Sequence, residues 1–193
     1  MSYKLLRQDS HPDNWSVLCV EDVEVHLLNR GVPLTEPPSL ARVTLSALGL
    51  GVCDYLESPC PIVSDRMRRA FEGVGVENLE WYPAELKVEI VDTLHTGYWI
   101  MNVIGRVACV DQGASDVEQA EDGTITELRC FRCDPQRAYD MDLFRLAEDS
   151  QAIMVSDRIQ EALLSAGLRG VLLQDPATYN RGLPVSSFVR RSP

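Results

Sequence analysis

Val63-Ser64-Asp65-Arg66 and Val155-Ser156-Asp157-Arg158 spell the same four residues 92 positions apart, and an alanine stands four residues after each arginine, at Ala70 and Ala162. The surroundings match as well as the tetrapeptides. Ile62-Val63 and Ile153-Met154-Val155 are short apolar lead-ins. Ser64 and Ser156 suit a helix N-cap, where a hydroxyl accepts an orphan N–H of the first turn. Asp65 and Asp157 then lie at the positive end of the helix dipole. Met67, Ala70, Phe71 and Val74 mark one helical face in the first copy, and Ile159, Ala162, Leu163 and Ala166 do so in the second. Gly75 and Gly167 fit left-handed stops. Strand-like runs follow, Leu79 to Tyr82, which Pro83 is expected to end, and Val171 to Leu173. The two copies align without a gap, which predicts a strand–helix–strand unit used twice. Two copies are too few for a solenoid.

The rest of the chain reads mainly as strand. Tyr3 to Leu6 is a short apolar stretch, followed by a turn-rich piece from Asp9 to Asn14. Trp15 to Leu28 has room for one or two strands, and Pro33, Pro37 and Pro38 mark a loop. Residues 42–58 do not choose between strand and helix. Glu85 to Val91 alternates with period two. Thr93 to Gly97 reads as a turn, and Tyr98 to Val110 as one or two buried strands. Ile125 to Phe131 alternates again, and Asp142 to Ala147 is a short strand or a turn. The expected fold class is therefore α+β, a mainly antiparallel twisted sheet of roughly six to eight strands carrying the two related helices.

A chain of 193 residues can bury a substantial core as one domain or two small ones. Eighteen basic against 29 acidic residues give a formal charge of −11. That balance repels nucleic-acid phosphates and anionic membranes, and it permits a basic protein partner. The opening MSYKLLRQDSHPDN has no signal-peptide core, and no apolar run spans a bilayer, so a cytoplasmic protein with reduced cysteines is expected.

The residues display no catalytic constellation. A capping serine engages its oxygen with the backbone, and neither copy has a neighbouring histidine as base. His11, His26 and His95 are scattered and form no metal-binding pattern. Cys130 and Cys133 form a C-x-x-C, the spacing of zinc knuckles and redox centres. If the alternation before them continues, however, two positions three apart on a strand face opposite ways. Asp140 with Asp142, or Glu121 with Asp122, would need distant help to hold a divalent cation. Gly49-Leu50-Gly51 lacks the rest of a nucleotide fingerprint. No cofactor and no metal are expected.

One segment points to binding. From Val107 to Leu128 there is no Lys or Arg, while Asp111, Asp116, Glu118, Glu121, Asp122 and Glu127 accumulate around a polar centre with Gly113 and Gly123. A loop of one charge sign between two strands steers a basic partner, although it also reads as simple solvation. Trp81, Trp99 and Tyr139 are candidate aromatic anchors, with core packing the alternative for the tryptophans. Asp111, Asp116, Glu118, Glu121, Asp122 and Tyr139 make up the candidate partner surface. Ser64, Asp65, Ser156 and Asp157 are the candidate structural caps.

Several runs resemble a bacterial polymorphic-toxin immunity family, immunity protein family eleven, formerly a domain of unknown function. They are Tyr98-Trp99-Ile100-Met101-Asn102-Val103, Cys109-Val110-Asp111 with Ser115, Phe144-Arg145-Leu146, and Ile153 to Arg158 with Ala162, Gly167 and Gly170. The resemblance extends over roughly residues 40–176, and more weakly over Tyr3 to Trp15. It implies a small cytoplasmic protein encoded beside a secreted effector, which it binds and neutralises, with no catalytic residues to carry over. Cys130 and Cys133 depart from the plain strand residues common in the family, and the acidic loop is variable territory there. The domain reading that follows has a strand and loop segment at 1–40, an immunity-like α+β domain at 41–180 and a tail at 181–193.

Three functions fit these features. The first is a non-enzymatic inhibitor of a cognate toxin or secreted enzyme with a basic surface, a close variant being a partner that holds a secreted protease inactive before export. The second is an enzyme with an unrecognised site. The third is a zinc-stabilised adaptor. Nucleic acid and membrane are not expected partners, and the oligomeric state is open.

Overall fold

The computed structural model describes residues 2–10, 15–46, 53–88, 91 and 93–180. The expected Asp9–Asn14 turn lies partly outside these residues. His11, the glycines at 49–51 and the tail from 181 lie wholly outside them. The elements run β1 (Tyr3–Gln8), β2 (Val17–Glu21), α1 (Val25–Leu28), β3 (Ala41–Leu45), β4 (Tyr55–Leu56), β5 (Ile62–Ser64), α2 (Asp65–Gly73), β6 (Leu79–Val88), β7 (Thr93–Val103) and β8 (Arg106–Val107). They continue with β9 (Asp116–Gln119), β10 (Ile125–Arg129), β11 (Leu143–Leu146), β12 (Ile153–Ser156), α3 (Asp157–Ser165) and β13 (Val171–Gln174), with single 3-10 turns at Gln112–Ala114 and Pro176–Thr178.

The protein is α+β and mostly strand, but the strands do not form one sheet of the expected size. Among the described residues they make a six-stranded sheet, order β2-β3-β6-β7-β5-β4, a five-stranded sheet, order β13-β1-β12-β11-β8, and a β9–β10 hairpin. The pairs β3–β6 and β8–β11 are parallel, and the other named pairs are antiparallel.

Two local expectations are corrected, and a third is met with a helix added. Pro83 does not end its strand. β3 pairs with β6 only from Ala84 onward, so at Pro83 that flank of β6 is an edge, where a residue lacking an N–H is tolerated. Thr93 to Gly97 is strand, not turn, because its residues pair back along β6 as far as Val88↔Thr93. The stretch from Trp15 to Leu28 holds one strand and the short helix α1.

Helices α2 and α3 begin where the cap residues place them, and Gly75 and Gly167 stand just beyond their ends at φ +69° and +59°. The two helix starts share a set of bonds. Ser64 N–H donates to the Asp54 carbonyl at 2.9 Å, and Ser156 N–H to the Asp142 carbonyl at 2.8 Å. The hydroxyl of each serine donates to Oδ1 of the same aspartate at 2.5 Å. Ser64 lies opposite Tyr98 and Ser156 opposite Tyr3. Each tyrosine hydroxyl donates at 3.0 Å to the residue before the aspartate, Tyr98 to the Cys53 carbonyl and Tyr3 to that of Met141. On the next strand out, Leu79, Trp81 and Tyr82 face Val103, Met101 and Ile100. Val171, Leu173 and Gln174 correspondingly face Gln8, Leu6 and Leu5.

The central core sits where the two helices meet both sheets. Met67 and Phe71 of α2 and Ile159 and Leu163 of α3 pack with Val63, Met101, Val103, Leu6, Ile153 and Val155. All four helix side chains are buried, and each contributes roughly 2 kcal/mol by leaving water. A second core around Trp15, Leu28, Val43 and Leu86 fills the first sheet. A third joins the second sheet to the hairpin through Phe144, Met154, Phe131, Leu128, Val117 and Ile125.

Candidate partner-binding surface

The serine positions come first, because a catalytic serine would overturn a binding role. Ser64 lines an open cleft of about 380 Å³ together with Asp54, Asp65, Arg66, His95 and Arg169. Its oxygen is fully engaged there. It accepts the Met67 N–H at 3.3 Å, the capping bond expected for α2, and gives its proton to Asp54. The other Asp54 oxygen accepts the Arg169 N–H at 2.7 Å. The His95 ring lies against Trp15, with ring centres 4.7 Å apart. In this arrangement the hydroxyl serves as the α2 cap and as a donor to Asp54.

Ser156 corrects the expectation drawn from its twin. It occupies the N-cap position, but its side chain makes no capping bond, because its hydroxyl points to Asp142. Arg158 also bonds that carboxylate, and the two bonds, the Arg158 one first, hold the Asp142 carboxyl below the usual range. Asp65 accepts the Trp99 indole N–H at 2.6 Å, and Asp157 accepts the Ser2 N–H at 2.7 Å. Asp65 thus fastens the start of α2 to β7, and Asp157 fastens the start of α3 to the residue before β1. The two tryptophans of interest, Trp81 on β6 and Trp99 on β7, pack against α2. Arg68 lies over Trp99 at 3.9 Å and over Trp81 at 5.8 Å, and Phe71 packs beside Trp81.

The acidic segment forms the β9–β10 hairpin and the turn before it. Asp111 caps the 3-10 turn by accepting the Gly113 N–H at 3.1 Å. Asp116 and Glu118 stand exposed on β9, and Glu121 and Asp122 occupy the exposed tip. Asp122 accepts the Thr124 N–H at 2.9 Å, which holds its carboxyl below the usual range. The field is not of one sign throughout. Arg129, just beyond the basic-free stretch, reaches Glu118 at 3.1 Å and Glu127 at 2.5 Å. Among the described residues Asp111, Asp116, Glu121 and Asp122 make no ion pair, although Asp116 also acts on Arg129 through space.

Tyr139 is 80% exposed. Its φ is +51°, and that of Asp140 is +53°, so two consecutive non-glycine residues hold a left-handed backbone, which is costly for L-residues. The flanking residues Ala138 and Met141 pack into the same core as Val117 and Ile125 of the hairpin. A large aromatic ring is thus displayed from a strained turn that shares its footing with the acidic hairpin. The five acidic residues lie on the hairpin and the turn before it, and Tyr139 stands on a separate turn whose neighbours share the hairpin's core.

The C-x-x-C does not act as a unit. β10 ends at Arg129, so Cys130 and Cys133 are not on a strand, and Cys130 is exposed with φ +40°. Cys133 turns inward instead and places its sulfur 2.9 Å from that of Cys109, a pairing that the C-x-x-C spacing concealed. The bond with Cys133 and then burial push the Cys109 thiol up. Among the described residues, no three His, Cys, Asp or Glu side chains are grouped so as to hold a metal ion. No described helix is long and apolar enough to cross a membrane.

In comparison with known proteins, the immunity protein family Imm11 matches residues 21–178. No curated protein matches the chain.

Proposed function

The chain belongs to the Imm11 immunity protein family, and from that premise we propose that it is a non-enzymatic immunity protein of the cytoplasm that binds a cognate toxin or secreted enzyme and neutralises it. The contact surface in this reading is the acidic hairpin with Tyr139 at its foot, and the partner presents a basic face. The observation that carries the reading is Tyr139 itself, an 80% exposed aromatic held at positive φ. Backbone strain is retained where a function uses it, and tyrosine is among the residues enriched at interface hot spots. The charges would act chiefly on the encounter rate.

The scaffold presenting this surface is, in the same proposal, one strand–helix unit used twice. The support is the repeated bond set at Ser64 and Ser156 together with the matching register of the strands beside them.

The test uses the effector encoded beside this protein in its own genome. The reading expects a stoichiometric complex and loss of effector activity on binding. Reversing Asp116, Glu118, Glu121 and Asp122 to lysine should slow association, most at low salt. Unchanged association at low salt would remove the hairpin from the interface. Absence of any complex would remove the neutralising role.

A further inference from the structure

Cys109 and Cys133 close the base of the acidic hairpin. Cys109 precedes its first turn and Cys133 follows its second strand. Val110 and Cys133 face each other as an isolated antiparallel bridge, and the backbone is tied on both sides of it. Asp111 N–H donates to the Arg132 carbonyl at 2.9 Å, and Asp134 N–H to the Cys109 carbonyl at 2.7 Å. The two sulfurs, 2.9 Å apart in the thiol state, need to approach by less than about 1 Å to reach the ~2.05 Å of a disulfide. Cys109 is buried and Cys133 is partly exposed, so a small oxidant meets Cys133 first. Cys130, the neighbour suggested by spacing, points to solvent from a left-handed backbone.

We propose that Cys109 and Cys133 are a dithiol oxidation site whose substrate is a peroxide and whose product is an intramolecular disulfide. Cys133, once deprotonated, attacks one peroxide oxygen. The O–O bond breaks, the departing hydroxide takes a proton to become water, and Cys133 becomes a sulfenic acid. The Cys109 sulfur then attacks the Cys133 sulfur, and the S–O bond breaks. The hydroxide leaves with the Cys109 proton as a second water, and the S–S bond forms. The two thiols lose two electrons and two protons, and the peroxide gains both. The product is a covalent ring around residues 110–132, which contain the whole hairpin. This chemistry does not depend on what the hairpin binds.

The test treats the reduced, folded full chain with a small excess of hydrogen peroxide, alkylates the remaining thiols in denaturant and maps the peptides by mass spectrometry. Two of the six thiols should escape alkylation, in a linked pair of peptides containing Cys109 and Cys133. Cys130→Ser should leave the link intact, and Cys109→Ser or Cys133→Ser should abolish it. After cleavage at Glu121 by a glutamate-specific protease, the oxidised chain should run as one species on a denaturing gel until it is reduced. A Cys130–Cys133 link, a Cys133 sulfinic acid with Cys109 still alkylated, or six alkylated thiols would each overturn the proposal.

Discussion

Arg66 and Arg158 close each other's helices. Arg66, in the first turn of α2, donates to the Ala166 and Gly167 carbonyls at the end of α3, at 2.7 and 3.0 Å. Arg158, in the first turn of α3, donates at 2.6 Å to the Val74 carbonyl at the end of α2. Each satisfies orphan carbonyls and sets a cation at the negative end of the partner helix's dipole. Arg66→Ala and Arg158→Ala should each lower stability, Arg158→Ala by more because that side chain also bonds Asp142. Urea unfolding measures this. The two sites share no carbonyl, so the double variant should show the sum to within about 0.5 kcal/mol.

Asp142 gives this network a pH dependence. Its carboxyl is held below its ordinary value by the bonds from Arg158 and Ser156. A group whose folded pKa is depressed adds stability in full above its unfolded value, near 3.9 for Asp, and loses it as pH falls through the folded pKa. Asp142→Asn should therefore be less stable than the parent at pH 7, and the gap should narrow progressively below about pH 4. Asp157 and Asp175 are also held low, but they titrate in both proteins and cancel in the difference. A gap that is constant from pH 7 to pH 3 would show that the carboxylate's charge does not stabilise the fold.

The two serines, alike in sequence, should differ in cost. Ser64→Ala removes a true cap and leaves an Asp54 oxygen without its donor, in a side chain only 7% exposed. Ser156→Ala removes no cap, and the Asp142 side chain, 22% exposed, can take water in place of the hydroxyl. About 2 kcal/mol is expected for Ser64→Ala and about 1 kcal/mol for Ser156→Ala. Thermal or urea unfolding decides it, and equal costs would contradict the difference in geometry.

That pair also shows where reading the sequence stops. The helix starts, the apolar faces and the stops at Gly75 and Gly167 are legible because each depends on neighbours within a turn or two. The aspartates that organise the starts are not. Asp54 lies 10 residues before its serine and Asp142 lies 14 before its own, so no fixed spacing announces them. Gly97 misleads in another way. It looks like a turn residue but lies inside β7 at φ +76°, where a Cβ would come within 3.3 Å of Asp65 Oδ2. The bare glycine leaves room for Asp65 to bond Trp99. Cys109 was hidden by the more familiar spacing of Cys130 and Cys133, since the contact between Cys133 and Cys109 spans 24 residues. In the acidic surface the composition was legible, but its partial neutralisation by Arg129 was not.

Tyr139 separates display from packing. Its ring is exposed, so replacing it removes almost no buried area. Its φ of +51° is one that glycine adopts freely. A structural tyrosine in the core would make Tyr139→Gly destabilising by several kcal/mol, as for other buried aromatic truncations. The strained turn predicts the reverse, namely stability unchanged or raised by up to about 1 kcal/mol, because the relief of left-handed strain offsets the added flexibility of the unfolded chain. Binding should move the other way. Loss of an interface anchor costs about 2 kcal/mol or more, which is at least a tenfold rise in Kd for the cognate effector. The two measurements are urea unfolding of the free protein and calorimetric titration of the complex. A variant that is at least as stable and binds at least tenfold more weakly identifies Tyr139 as a residue held at a stability cost for contact with a partner, whereas unchanged affinity would remove it from the interface.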